Sequence, residues 1–80
     1  MIPLSEEHIY FGGMNLSYQL LLCKQADINS FHIRVVRETE IGEAEVGTDL
    51  SRALSWFQSI VRGVVTPCTL EDVIHDLQFV

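Results

Sequence analysis

The chain has 80 residues, 48% of them hydrophobic and 20% charged, which is the composition of a folded globular domain rather than of a disordered segment. Eleven acidic against five basic residues give a formal net charge of −6, and such a surface repels both nucleic acids and anionic lipid headgroups. We therefore expect one domain over residues 1–80, with neither nucleic acid nor a membrane as partner. The opening residues MIPLSEEHIYFGG lack the basic flank and apolar stretch of a signal peptide, which predicts a cytoplasmic location.

The first half of the chain contains runs in which apolar and polar residues alternate, the pattern of a β-strand with one buried face. Two runs are clear, residues 16–23 and residues 31–36, and the polar segment KQADINS between them forms the turn of a hairpin. A short third strand contains Ala44 and Val46 and follows Gly42, which we predict to be the turn residue. The positions predicted to face the core are Leu16, Tyr18, Leu20, Leu22, Phe31, Ile33 and Val35.

The short connections between these strands predict an antiparallel meander, because parallel pairing needs a crossover of about a dozen residues or more. Residues 1–13 are open between two interpretations: HIYF followed by Gly12 and Gly13 is either a fourth strand that returns through a glycine turn or an irregular arm that lies against the sheet.

The outer face of the sheet needs a cover, since it carries apolar residues where a solvated strand has polar ones. This cover is either the arm or a second copy of the chain, bound as a twofold dimer through this face or through an open sheet edge. The apolar residues in question are Leu21, Cys23 and Val36.

Two helices are predicted after the strands. Thr48 or Asp49 caps the first, and Gly63 ends it by adopting the left-handed conformation. Thr66 caps the second, with Pro67 at its first position, where the missing amide hydrogen costs nothing. The apolar stripes are Leu50, Ala53, Leu54, Phe57, Ile60, Val61 and Val64 in the first helix and Leu70, Val73, Ile74 and Leu77 in the second. The chain is therefore predicted to have an α+β fold, with a three- or four-stranded antiparallel meander followed by two helices packed on one face.

Trp56 lies at the margin of the first apolar stripe, one turn after Arg52, whose guanidinium is placed to lie over the indole ring. A tryptophan at such a margin either covers the rim of the core or, if it is exposed, anchors a partner protein. We favour the first interpretation, because tryptophan is highly buried on average.

The segment VTPCTLEDVIHDL places five residues of metal-binding or proton-transferring types close together: Cys68, Glu71, Asp72, His75 and Asp76. On a helix, the acidic residues and His75 fall on the side opposite the apolar stripe, where solvated residues lie. A zinc site would need further ligands from elsewhere in the chain. We therefore interpret this segment as a helix with one solvated face, and we predict no metal and no cofactor.

His32 and Arg34 are predicted to project from the solvent face of the second strand, where Cys23 with a histidine would resemble a nucleophile and its base. The sequence has no glycine-rich turn between a strand and a helix of the kind that positions such a nucleophile. We therefore assign no catalytic residue. Cys23 and Cys68 are too far apart in sequence for a zinc knuckle, and we predict two buried thiols.

The ensemble of YQLLL, FHIRVV, TDLS and VTPCTLEDVIHDL resembles a family of short, mostly Gram-positive bacterial proteins that carries only a domain-of-unknown-function label. The likeness covers residues 16–77, and the chain departs from the family pattern at Thr69, where the family tends to have histidine, and at His32, where it often has glycine. The resemblance implies the same order of strands and helices, and it brings no catalytic residue or substrate. The positions that match the C-terminal motif of the family are Thr66, Pro67, Leu70, Asp72, Val73 and Asp76.

These observations predict a small non-enzymatic domain that acts through protein–protein contacts, as a subunit, adaptor or regulator. The sequence contains no phosphate-binding loop, metal-ligand spacing or catalytic triad, and it is short for a domain with a deep cleft. The competing interpretation is a small-molecule or metal-binding domain that uses Cys68, Glu71, Asp72 and His75.

Overall fold

The computed structural model describes residues 1–78. Four strands come first, β1 (Ile2–Phe11), β2 (Met14–Gln25), β3 (Ile28–Arg37) and β4 (Glu40–Glu45). Two helices follow, α1 (Leu50–Arg62) and α2 (Leu70–Gln78), and a 3-10 turn at Pro67–Thr69 leads directly into α2. Each strand pairs antiparallel with the next, in the order β1-β2-β3-β4, so the predicted α+β meander is confirmed.

The segment that the sequence left open forms a fourth strand. β1 pairs with β2 along its length, and the connection is a two-residue turn at Gly12 and Gly13. Both glycines have positive φ, +58° and +79°, which is the geometry of the type I′ hairpin turn that glycine adopts without strain. Because β1 lies beside β2 in the sheet, it does not cover the outer face, and the alternative of a covering arm is wrong.

The turn between β3 and β4 lies earlier than predicted. It consists of Glu38 and Thr39, with Glu38 at φ +54°, whereas Gly42 is inside β4 and pairs with Val35. The prediction that Gly42 forms the turn is therefore wrong. The reason for a glycine there is a close approach, because a Cβ atom on Gly42 would overlap the carbonyl oxygen of Pro67 and lie 2.9 Å from its Cα.

One hydrophobic core lies between the sheet and the helices, with α1 packed over β2 and β3 and with α2 and the 3-10 turn packed over β4. The positions predicted from β2 and β3 face this core, although Leu22 is only partly buried. Leu50 and Leu54 are 47% and 39% exposed, so their predicted place in the core is wrong. The buried residues of the core are Leu16, Tyr18, Leu20, Phe31, Ile33, Val35, Val46, Ala53, Trp56, Phe57, Ile60, Val65, Leu70 and Ile74.

Trp56 belongs to this core, at 8% exposure, so its interpretation as a structural residue is confirmed. The guanidinium carbon of Arg52 lies 4.4 Å from the centroid of the indole ring. This geometry is that of a cation–π contact, as the spacing of the two residues on the helix predicted.

The two ends of α1 differ in how well the sequence predicted them. Asp49 is the N-cap, and its Oδ1 accepts a hydrogen bond from the Arg52 amide at 3.2 Å. Gly63 has a right-handed φ of −79°, and Val64 takes the left-handed conformation at φ +49°, so the prediction for Gly63 is wrong by one residue. The Val65 amide donates to the Ile60 carbonyl at 3.2 Å across this turn, as in a Schellman motif.

Thr66 occupies the N-cap position of the 3-10 turn, with Pro67 at the start as predicted. Its side chain makes no capping bond to a backbone amide. Instead the Thr66 and Thr69 hydroxyls lie 3.0 Å apart, and the Thr69 hydroxyl also donates to the Thr66 carbonyl at 3.2 Å. The two threonines therefore hold the entry to α2 together through side-chain contacts.

Candidate functional site

β1 is an outer strand, and only its inner edge is paired with β2. The two-residue turn makes Phe11 and Met14 the hydrogen-bonded pair that closes this hairpin. Because the backbone groups of successive residues point to opposite edges of a strand, Tyr10, His8 and Glu6 direct their amide and carbonyl groups away from β2. Within residues 1–78 no other strand lies beside this edge.

The two ends of β1 differ in how readily they would accept another strand. Pro3 has no amide hydrogen, and the register with β2 shifts between Pro3 and Ser5, which is a β-bulge. Prolines and bulges both hinder pairing at sheet edges. From Ser5 to Phe11 the register is regular and the segment contains no proline. The accessible part of the edge is therefore residues 5–11.

A groove lies between this part of β1 and α1. It is open to solvent, measures about 190 Å³, and is lined by Ser5, Glu7, Leu54, Phe57, Gln58, Val61 and Arg62. Ser5 and Glu7 pair with Leu20 and Tyr18, two core residues, and directly opposed residues share a face of the sheet. The groove therefore lies on the same face of the sheet as the core, at the edge of this face that α1 and α2 leave uncovered.

Apolar side chains are exposed along both elements that border the groove. Leu54 of α1 is 39% exposed, and Phe11, at the other end of β1, is 58% exposed. Phe11 is on the same face as Ser5, because residues 5, 7, 9 and 11 alternate with the outward-facing ones. Exposed apolar groups with a polar rim mark interaction surfaces in soluble proteins. We name the edge of residues 5–11 and this groove together the β1 surface.

The outer face of the sheet carries a second group of polar residues. Arg34 donates from Nε and Nη2 to Oε1 of Glu43, at 2.9 and 2.7 Å. His32 Nδ1 is 3.9 Å from Oε2 of the same carboxylate, and Ser30 Oγ is 3.4 Å from His32 Nε2. His32 and Arg34 face outward as predicted, while Glu43 was missed because it comes from β4 and meets them only across the sheet.

This serine, histidine and glutamate group does not have the geometry of a catalytic triad. A separation of 3.9 Å between the imidazole and the carboxylate is too long for the hydrogen bond that orients a catalytic base. The carboxylate of Glu43 instead accepts two bonds from Arg34. Cys23, considered as a nucleophile, is half-buried and pairs across the sheet with Ser30. The group is best described as an ion-pair network on the outer face.

The polar residues of α2 lie on its exposed side, opposite the buried Leu70 and Ile74. No group of three or more His, Cys, Asp or Glu side chains arranged to hold a metal ion is found in residues 1–78. Cys68 is exposed, with its Sγ 3.5 Å from the Thr66 hydroxyl. The prediction that both cysteines are buried is therefore wrong for Cys68, and Cys23 is only half-buried.

Comparisons with protein-family models, with curated proteins and with solved structures found no match. The resemblance stated for the C-terminal motif therefore stays a prediction. Among the described residues, no helix has the length and apolar content needed to cross a bilayer.

Sequence analysis allowed for pairing through an open sheet edge, but it did not identify β1 as that edge or find the groove beside it. The Gly12–Gly13 pair is itself a signal for a type I′ hairpin, but the sequence left the segment before it open between a strand and an irregular arm. The groove had no such signal, because it depends on how far α1 extends over the sheet.

Proposed function

We propose that the chain is a small non-enzymatic domain that acts by protein–protein contact, and that the β1 surface is its binding site. The observation that supports this is the coincidence of an unpaired, regular seven-residue edge with an open groove on the same strand. Such an edge binds an extended segment by adding a strand, so that backbone hydrogen bonds supply affinity and a side-chain pocket supplies specificity.

The chemistry of the β1 surface indicates what kind of segment it accepts. Leu54, Phe57 and Val61 give the groove an apolar lining, which suits an apolar or aromatic side chain. Glu6 and Glu7 lie on the edge itself, so a partner strand with acidic residues opposite them is disfavoured. The segment is therefore an extended chain with one large apolar side chain and no acid facing these glutamates.

A cytoplasmic location is part of the same proposal. Cys23 and Cys68 are both free thiols, and Cys68 is exposed. Unpaired exposed thiols suit a reducing compartment, since oxidising compartments convert them to disulfides.

The test uses proline at one position of each sheet edge. In β1 the His8 amide points outward, so His8→Pro blocks strand addition without removing a backbone hydrogen bond to β2. It does remove the side-chain contact of His8 Nδ1 with the Ser17 hydroxyl, 3.1 Å long and on the exposed face. In β4 the matched position is Ile41, because Arg37 and Glu40 form the pair that closes the turn between β3 and β4. The Ile41 amide therefore also points away from the neighbouring strand.

Wild-type and variant proteins are used as bait in an extract of the cells that produce the chain. We expect a protein retained by wild type and by Ile41→Pro to be lost with His8→Pro. Equal retention by all three contradicts the proposed site.

A further inference from the structure

We propose that the strand that pairs with β1 is β1 of a second copy of this chain, antiparallel about a twofold axis at His8, with Phe11 of each copy seated in the groove of the other. This inference rests on the proposed function and names the partner of the same site. It is carried by the register of β1, the positions of its charges and the position of the groove.

The backbone of β1 fits this axis. Tyr10, His8 and Glu6 are the residues that direct their amide and carbonyl groups outward, as the alternation from the Gly12–Gly13 turn requires. An axis at His8 pairs His8 with its own copy and pairs each Glu6 with Tyr10 of the other copy. In each of these pairs, both residues direct their backbone amide and carbonyl groups toward the other copy. Each pair therefore exchanges two backbone hydrogen bonds.

The charges on β1 select this register over its neighbours. An axis at Glu7 places the two Glu7 carboxylates directly opposite each other, and an axis at Glu6 does the same for Glu6. Like charges in directly opposed positions destabilise a sheet. An axis at His8 instead places Glu7 opposite Ile9 and Glu6 opposite Tyr10, so no carboxylate faces another.

A shift in the other direction shortens the pairing. An axis at Ile9 pairs only residues 7–11 of the two copies, and it sets Phe11 opposite Glu7. The axis at His8 pairs residues 5–11, which is the whole accessible part of the edge. Pro3 and the bulge next to it lie just outside this segment. Pro3 and the bulge, which hinder strand pairing, therefore lie outside the segment that pairs in the dimer.

The groove supplies the side-chain contact. In this register Phe11 of one copy lies opposite Ser5 of the other, on the helix side of the joined sheet, and Ser5 lines the groove. The groove of about 190 Å³ is large enough for a phenyl ring, because an apolar cavity of about 150 Å³ holds benzene. Phe11 is 58% exposed in the single chain. Dimer formation therefore removes two exposed phenyl rings from water, one in each groove.

The outer face of the sheet is a poorer place for a second copy. Leu21, which we expected to need a cover, is 4% exposed in the single chain. The Arg34–Glu43 ion pair lies on the same face at half-exposed positions, and burying it would cost desolvation energy. The edge, in contrast, offers unpaired backbone groups and an unfilled groove.

The register is tested by disulfide formation. In a Cys23→Ala/Cys68→Ser background, which removes both native thiols, His8→Cys places two cysteines in a hydrogen-bonded pair with Cα atoms about 5.5 Å apart, and disulfides span about 4.4–6.8 Å. We expect a covalent dimer under mild oxidation. Glu6→Cys is the matched control, because the two copies of residue 6 are offset by four residues, about 13 Å along the strand. Equal cross-linking by both variants, or by Glu6→Cys alone, overturns the inference.

Association is measured by sedimentation from about 10 μM to 1 mM, the range in which small interfaces dissociate. We expect wild type and Ile41→Pro to form dimers with rising concentration and His8→Pro to stay monomeric. Phe11→Ser should weaken the dimer about tenfold or more, because it removes the buried ring, whereas Tyr10→Ser, a neighbouring exposed aromatic on the outer side, should change it much less. A circular dichroism spectrum shows whether each variant is folded. If His8→Pro does not fold, the Phe11→Ser and His8→Cys variants decide the outcome.

The results separate this inference from the proposed function. A wild type that stays monomeric throughout overturns the pairing of two copies, while a different protein retained through His8-sensitive binding would leave the proposed function standing. A dimer that Ile41→Pro abolishes and His8→Pro leaves intact overturns the inference, because it assigns self-association to β4.

Discussion

The Tyr18 hydroxyl donates a hydrogen bond to the backbone carbonyl of Val65 at 2.9 Å, joining two residues 47 positions apart. Tyr18 is fully buried in β2, and Val65 follows the left-handed turn that ends α1. The bond therefore fixes the end of α1 against the centre of the sheet, and it satisfies the one polar group of a tyrosine that the core has taken out of water.

Tyr18→Phe should lower the free energy of unfolding by about 1–3 kcal/mol, because it leaves the Val65 carbonyl buried without this donor. Urea denaturation measures the change. Tyr10→Phe is the control: Tyr10 is 72% exposed, and we expect a change within about 0.5 kcal/mol. Equal stability of Tyr18→Phe and wild type would mean that the Val65 carbonyl finds another donor.

The same residue predicts a dependence of stability on alkaline pH. Burial raises the pKa of Tyr18 above its ordinary value of 10.0. Above that pH the unfolded chain loses the phenol proton while the folded protein keeps it, so the folded state binds more protons and stability falls as pH rises. Below pH 10 the contribution is fully present. We expect the free energy of unfolding to fall more steeply above pH 10 in wild type than in Tyr18→Phe. Parallel curves would contradict this.

Gly42→Ala should lower stability by about 3 kcal/mol, at the upper end of the usual cost of overpacking. The added methyl would overlap the backbone of Pro67, and the 3-10 turn cannot move away from β4 without exposing Pro67, which is buried. Gly63→Ala is the matched control, since Gly63 has a right-handed φ and the nearest atom to an added Cβ is 3.3 Å away. Its effect should stay below about 1 kcal/mol. Thermal melting of the two variants measures the difference.

Phe57 and Leu54 neighbour each other on α1 and should respond differently to truncation. Phe57 is 3% exposed and Leu54 39%. Phe57→Ala should cost about 3–5 kcal/mol, enough to unfold much of a domain of this size. Leu54→Ala should cost under about 1 kcal/mol, and its main effect should be on binding at the groove. Similar melting temperatures for the two variants would show that the core is placed wrongly on this helix.

Metal analysis tests the alternative function of the C-terminal segment. Protein prepared without a histidine tag should retain no stoichiometric zinc, nickel or iron after dialysis. The reason is that Cys68, Glu71 and Asp72 all lie at exposed positions, where water competes effectively for a cation. In the part of the chain that the structure describes, no group of three or more candidate ligands is arranged to hold a metal ion. A retained metal that Glu71→Gln releases would revive the metal-binding interpretation.

Much of the fold was predictable because its signals are local. β2 and β3 have one face in the core and one in solvent, so Tyr18 and Ile33 fall into a period of two that the sequence shows directly. Asp49 and Pro67 mark helix starts through their own backbone chemistry. In each of these cases the residue type alone carries the information.

The errors concern properties that arise between distant segments. β1 was ambiguous because its residues are exposed on both faces apart from Ser5 and Ile9, so no burial pattern marks it. Gly42 was assigned to a turn because glycine favours turns, whereas the structure needs it where Pro67 crosses β4. The groove of the candidate site was missed for the same reason, because a groove beside an edge strand exists only once α1 is docked.

The sparse packing of β1 also bears on how the molecule opens. Ile9 is the β1 residue that packs against the core, so detaching the strand exposes little apolar surface, whereas separating β2 from β3 dismantles the core. Native-state hydrogen exchange should therefore reveal two opening free energies, a smaller one for the inner-edge amides of β1 and one close to global unfolding for those between β2 and β3. The first strand of the chain is then a semi-independent unit of stability, and a probe attached to it reports its detachment rather than the unfolding of the protein.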